Sequence, residues 1–128
     1  MLICVISPFR ASAEHSQEEN VALVKRLCRA IALAGDGMIP YAAHLLCPQF
    51  LDDAVEDERR CGLRIGQGML SYATEVWIWD LWGISEGMKW DIALAAGFVR
   101  MHTPYTAALR YASRDEIPPW SKIIAEFK

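Results

Sequence analysis

The 128-residue sequence lacks several features that would assign a function at a glance. It has no Gly-x-Gly-x-x-Gly and no P-loop pattern, which argues against a dinucleotide Rossmann site and against an NTPase. No basic run exceeds a pair such as Arg59-Arg60, and the formal net charge is −3 with both signs interspersed. No electrostatic footprint for nucleic acid results, and none is expected as a partner. No apolar stretch is long enough to span a bilayer, so no membrane partner is expected. The start, Met1 to Ser7, has no basic n-region and its apolar run breaks at Pro8, so a cytoplasmic protein without a secretory signal is expected. The four cysteines, Cys4, Cys28, Cys47 and Cys61, lie far apart in sequence. Reduced thiols are expected, with Cys4 and Cys28 filling core and Cys47 in a loop. His44-x-x-Cys47 with Cys61 matches no strong metal-ligand spacing, so neither metal nor cofactor is expected.

What is present is an apolar share of 53% and an aromatic share of 10%, enough for one domain over residues 1–128 with a buried core. Leu2 to Ser7 reads as a strand apolar on both faces, which suits a parallel sheet covered on both sides. Ser16-Gln17-Glu18-Glu19 has the form of a capping box. Val21, Val24, Leu27, Ile31 and Ala34 then recur at helical spacing until Gly35-Asp36-Gly37 ends the helix. A short strand is expected near Met38-Ile39-Pro40. Tyr41 to Asp57 reads as a long loop. A helix is predicted over Asp57 to Ala73, with Gly62 and Gly66 on one face for close packing or for ligand approach. Glu75 to Trp79 reads as a strand rich in β-branched and aromatic residues. A helix from about Gly87 follows, with Ile92, Ala95, Ala96 and Val99 as its buried stripe and an end between Gly97 and Thr103. Tyr105 to Tyr111 reads as a last strand, and Trp120 to Phe127 as a final helix packing through Ile123, Ile124 and Phe127.

Alternating strands and helices predict an α/β doubly wound parallel sheet with helices on both faces, a three-layer sandwich. Ligands of such sheets bind beyond the C-terminal strand ends, at the topological switch point. Those ends carry Ser7 to Arg10, the region Tyr41 to His44, and Asp80 to Gly87. The candidate ligand-binding residues on these segments are Ser7, Phe9, Arg10, His44, Asp80, Ser85 and Gly87, and Met88, which follows Gly87 directly, is counted with them. Ser85-Glu86-Gly87 opens a helix, whose free amides favour an anion, although serine is also an ordinary N-cap. The Arg10 guanidinium suits an anion as well. Asp91, six residues after Ser85, is the candidate catalytic carboxylate; such groups act as nucleophiles in glycosidic chemistry. Asp80 and Asp52 are candidates by location for a second carboxylate. Trp77, Trp79 and Trp82 are expected in core and pocket wall.

Three segments carry a resemblance. Val5-Ile6-Ser7-Pro8-Phe9-Arg10, Pro40 to Leu46 running into Pro48 to Asp53, and Ile84-Ser85-Glu86-Gly87-Met88-Lys89-Trp90-Asp91-Ile92 together resemble the nucleoside 2-deoxyribosyltransferase-like superfamily, especially its short bacterial and phage members. The resemblance implies a flavodoxin-like sheet and a site for a nucleoside or nucleotide. It implies N-glycosidic cleavage or transfer, with Phe9 and Arg10 at the sugar–phosphate region and Ser85 and Gly87 at the 5′ end. Asp91 would stand where the family has its nucleophilic glutamate, one methylene shorter. Gly66 would stand where the active hydrolases have an assisting aspartate. Relatives of this kind are often dimers or higher oligomers, so a homo-oligomer is expected.

Three functions follow as expectations: an N-glycosidase or deoxyribosyltransferase with Asp91 as nucleophile, a catalytically impaired nucleotide-binding protein that sequesters or senses, and a structural subunit with exposed Trp82 or Trp120 at an interface.

Overall fold

The computed structural model describes residues 1–97 and 107–128. In chain order the elements are β1 (Leu2–Ile6), α1 (Gln17–Leu33), β2 (Ile39–Tyr41), α2 (Ala43–Leu46), α3 (Glu56–Tyr72), β3 (Glu75–Ile78), α4 (Glu86–Gly97), β4 (Ala108–Tyr111) and α5 (Ser121–Glu126). A single 3-10 turn at Cys47–Gln49 follows α2, and another at Pro118–Trp120 precedes α5. The four strands form one parallel sheet in the order β2-β1-β3-β4. This is a flavodoxin-like, doubly wound α/β arrangement. The chain runs outward from β1 to β2, then returns across to β3, so the switch point lies between the C-terminal ends of β1 and β3.

Side-chain alternation builds the three layers. Ile3, Val5, Trp77 and Trp79 face one side and pack with Leu23, Val24, Leu27 and Ile31 of α1 and with Ile123 and Ile124 of α5. Cys4, Ile6, Val76 and Ile78 face the other side and pack with Leu70 of α3 and with Met88 and Ala95 of α4. Successive residues of a strand point to opposite faces, which is why a strand covered on both faces reads as a continuous apolar run.

Helix α1 starts where its chemistry demands. The Ser16 hydroxyl accepts from the Glu19 amide at 3.1 Å, while the Glu19 carboxylate accepts from the Ser16 amide at 3.2 Å. Gly35 and Gly37 after it adopt φ of 77° and 70°, a region that glycine enters without a Cβ clash. The buried stripe is Asn20, Leu23, Val24, Leu27 and Ile31; Val21 and Ala34, expected in it, are half-buried. In α4, Met88 and Ala95 are buried, Ile92 is half-buried and Ala96 is exposed. Val99 of the expected stripe, positions 98–103 of the range expected to hold the end of that helix, and the start of the last strand at Tyr105 lie outside the described residues.

Two expectations need correction. The segment Tyr41 to Asp57 is not one long loop, because α2 and a 3-10 turn occupy its first half. Ala42, the residue preceding α2, makes no side-chain cap, so no polar signal marks that start. Nor are Trp82 and Trp120 exposed surface. Trp120 is fully buried, set edge-on against Trp77 and Trp79, with its indole N–H donating to the Leu27 carbonyl at 3.1 Å. Trp82 is half-buried and stacked on the His15 ring at 3.7 Å. Among the described residues, no helix is long and apolar enough to cross a membrane.

Candidate functional site

A cavity of about 630 Å³ opens at the switch point, within the size range of small-molecule sites. Its floor begins at Ser7, the residue after β1. Ser7 is 1% exposed, and its hydroxyl has no hydrogen-bond partner among the described residues. A buried hydroxyl without a partner carries a desolvation penalty that a ligand oxygen or nitrogen would relieve.

The loop after β1 is held by Asn20. This buried side chain donates from Nδ2 to the carbonyls of Phe9 at 3.1 Å and Arg10 at 3.0 Å. Phe9 is thereby placed against His44 of α2, ring centroids 4.5 Å apart and 22° from parallel. Burial depresses the His44 pKa to about 4, opposed by the Asp53 charge and by a hydrogen bond to the Ser7 backbone. The ring is therefore neutral at pH 7 and contributes an aromatic wall with no charge. At the mouth, Arg10 pairs with Asp53 at 3.3 Å; both side chains are more than half exposed.

The opposite wall is the start of α4. The Ser85 hydroxyl accepts from the Met88 amide at 3.2 Å and so caps the helix. Residues Gly83 to Gly87 also spell Gly-x-Ser-x-Gly, the pattern of a nucleophile elbow. The elbow needs a strained turn at the serine. No described residue other than glycine has a positive φ, so Ser85 acts as a cap and cavity lining. One turn further along, Asp91 faces the cavity and is half-buried. Burial raises its carboxyl pKa to about 6, because the charged form has lost water. Among the described residues it has no hydrogen-bond or ion-pair partner.

The third wall is α3. A Cβ built on Gly66 would meet nothing within 4 Å, so this glycine faces open cavity and not a packed neighbour. Gly62 lies closer to its surroundings, with Leu51 and Cys47 at 3.6 and 3.8 Å from such a Cβ, an ordinary contact.

A family model described as a domain of unknown function (DUF7768) matches residues 1–106. The chain belongs to this family. No curated protein matches the chain. All residues lining the cavity, from Ser7 to Asp91, fall inside the span matched by the DUF7768 model.

Of the residues expected at the site in this DUF7768 member, Ser7, Phe9, Arg10, His44, Ser85, Gly87, Met88 and Asp91 line the one cavity. Asp80 does not. Its carboxylate accepts from the Ser113 amide at 2.9 Å and from the Ser113 hydroxyl, fastening the end of β3 to the segment after β4. Asp52 is also turned to structure, accepting from the Ala54 amide at 2.9 Å. Nor do Trp77, Trp79 and Trp82 form the pocket wall; among the tryptophans Trp90 lines it. Sequence reasoning missed Asn20, Asp53, Glu58 and Trp90. Asn20 left a readable signal, since it continues the spacing of Leu23, Val24, Leu27 and Ile31 as a polar residue in an apolar stripe. Asp53 closes one of the segments that carry the resemblance, whereas Glu58 left no signal, because only the fold of the chain between α2 and α3 brings it to the cavity. Among the described residues, no group of three or more His, Cys, Asp and Glu side chains is arranged to hold a metal ion.

Proposed function

We propose that the cavity binds a nucleoside or nucleotide-like molecule and that the protein cleaves or transfers at its N-glycosidic bond, with Asp91 as nucleophile. The observation that carries this reading is the unpaired, half-buried Asp91 carboxylate inside the cavity that also holds the Phe9–His44 stack and the Ser7 hydroxyl. An aromatic stack offers a π face to a planar base. The carboxylate, ionised above about pH 6, attacks the anomeric carbon as the carbon–nitrogen bond breaks and its electron pair leaves with the base. Water or a second base then displaces the carboxylate from the glycosyl ester. The resemblance of the Ser7, His44 and Asp91 segments to the nucleoside 2-deoxyribosyltransferase-like superfamily supports the same chemistry and carries with it the expectation of a homo-oligomer.

The test is base release from a panel of deoxynucleosides and their 5′-monophosphates. Release is expected to rise with pH through about 6, as the Asp91 carboxylate ionises. Asp91→Asn is expected to lower it by about a thousandfold. Absence of base release at high protein concentration, or release unchanged in Asp91→Asn, counts against catalysis.

A second reading, binding without turnover, is favoured by one observation. No other carboxyl group in the cavity is free to protonate a leaving base: Asp53 is tied to Arg10, Glu58 accepts from the Asp52 amide, and Glu86 is paired with Lys89. Calorimetry against the same panel separates the two, since tight binding without release identifies a sequestering or sensing protein.

A further inference from the structure

We propose that the substrate is an N-glycoside whose glycosidic nitrogen is cationic, a pyridinium or N-alkylated purine nucleoside, without a 5′-phosphate. The inference deepens the glycosidase reading above and rests on it. Three observations lead to it.

The first is charge. Among the described residues, the cavity is lined by four carboxylates, Asp53, Glu58, Glu86 and Asp91, against two guanidiniums, Arg10 and Arg59; with Lys89 paired to Glu86 from outside the lining, one negative charge is in excess. The His44 ring adds no positive charge at neutral pH. Arg10, the basic group nearest the strand end, is already neutralised by Asp53 at 3.3 Å. The start of α4, otherwise favourable to an anion, carries Glu86 as its first residue, paired with Lys89 at 3.0 Å. A phosphate entering here meets more carboxylates than cations, Arg59 being the one lining guanidinium without a partner among the described residues, whereas a cation is drawn in.

The second is the missing acid. A neutral base leaves as an anion unless a positioned group protonates it. Gly66 contributes no side chain to the α3 wall, and the remaining carboxylates are engaged as described. A cationic ring nitrogen removes the requirement. When its bond to the anomeric carbon breaks, the electron pair cancels the positive charge and the base departs neutral, with no proton needed. The Asp91 carboxylate forms the new carbon–oxygen bond. Water then attacks the anomeric carbon, giving the free sugar and returning the carboxylate with one proton released. Charge is balanced in both steps.

The third is fit. The Phe9–His44 stack presents aromatic surface, which attracts a cationic ring. The buried Ser7 hydroxyl, without a partner, awaits a polar atom of the ligand.

The experiment measures base release by chromatography from nicotinamide riboside, 7-methylguanosine, adenosine, 2′-deoxyadenosine and nicotinamide mononucleotide, with Asp91→Asn as the control for spontaneous hydrolysis. At least one cationic nucleoside is expected to react about tenfold or more faster than either neutral one. The pyridinium and purine arms identify which cation is taken. The 5′-phosphate of the mononucleotide is expected to slow release by about tenfold. Asp53→Asn, which frees Arg10 and removes one negative charge, is expected to narrow that gap. Neutral nucleosides reacting as fast as the cationic ones overturn the inference and leave the glycosidase reading standing. A mononucleotide that reacts faster than its riboside overturns the charge argument. Failure of all five to react, or release that persists in Asp91→Asn, overturns both.

Discussion

Helices α1 and α3 are each 17 residues long and lie on opposite faces of the same sheet, yet they do different work. Helix α1 buries five residues, four of them large and aliphatic; α3 buries only Leu70. Helix α1 has a reciprocal cap and no glycine, whereas α3 has no side-chain cap and contains Gly62, Gly66 and Gly68. A helix gains most of its stability from packing an apolar face. One that packs so little and carries three glycines is shaped for something other than stability, and its inner face borders the cavity. The α1 side, with Trp77, Trp79 and Trp120 interlocked edge to face, acts as the rigid support. The α3–α4 side borders the cavity.

The sharpest way to break this comparison is to damage the support. Trp120→Ala removes a fully buried ring and the indole N–H that donates to the Leu27 carbonyl. A loss of about 3–5 kcal/mol is expected, read from urea denaturation; a loss below about 1 kcal/mol would show that the α1 side is no stiffer than the other.

The next effect belongs to the cavity. The folded-state pKa of Asp91 is raised to about 6 from 3.8. Its contribution to stability is therefore fully present below pH 3.8 and is lost as pH rises through about 6. Asp91→Asn is expected to stabilise the fold by about 1–2 kcal/mol at pH 8, a value reduced for partial solvent access, and to leave it little changed near pH 4. His44 acts in the opposite sense. With its pKa depressed from 6.5 to about 4, it loses stability as pH falls across that interval. The two groups oppose each other between pH 4 and 6, so the Asp91→Asn variant should lose stability on acidification more steeply than the parent. Urea midpoints from pH 4 to 8 check this, and parallel curves would contradict it.

Smaller effects sharpen the contrast at the helix ends and walls. Ser16→Ala breaks the capping box of α1 and is expected to cost about 1 kcal/mol. Gly66→Ala should do the reverse, gaining about 0.5–1 kcal/mol from helix propensity, since nothing obstructs the added methyl. It should also weaken ligand binding by intruding on the cavity. Thermal denaturation gives the first quantity and calorimetric titration the second; a destabilised Gly66→Ala protein would mean that this glycine packs against something.

Much of this was legible in the residues. The apolar run at Leu2 to Ser7, the capping box at Ser16 and the aromatic strand at Glu75 to Trp79 are local signals, written in side-chain period and cap chemistry, and each element formed where they point. Strand ends in a parallel sheet bring their loops to one edge, so Ser7, Phe9, Arg10, His44, Ser85 and Gly87 could be placed together by topology alone. Asp80 was misplaced by the same logic. It does stand at a strand end, but the neighbouring strand presents Ser113 to it, and a sequence does not reveal which neighbour a carboxylate will meet.

The sequence by itself determined the parallel α/β fold, the two-sided core and the edge of the sheet at which a pocket forms. Those follow from periodicity, which acts over a few residues. Only the tertiary structure decided which carboxylates are tied and which is free, that His44 is neutral and stacked, that Gly66 opens onto space, and that among the described residues carboxylates outnumber guanidiniums in the cavity lining. These depend on distances between residues far apart in the chain, and on the water that burial removes from them, neither of which is set by local order.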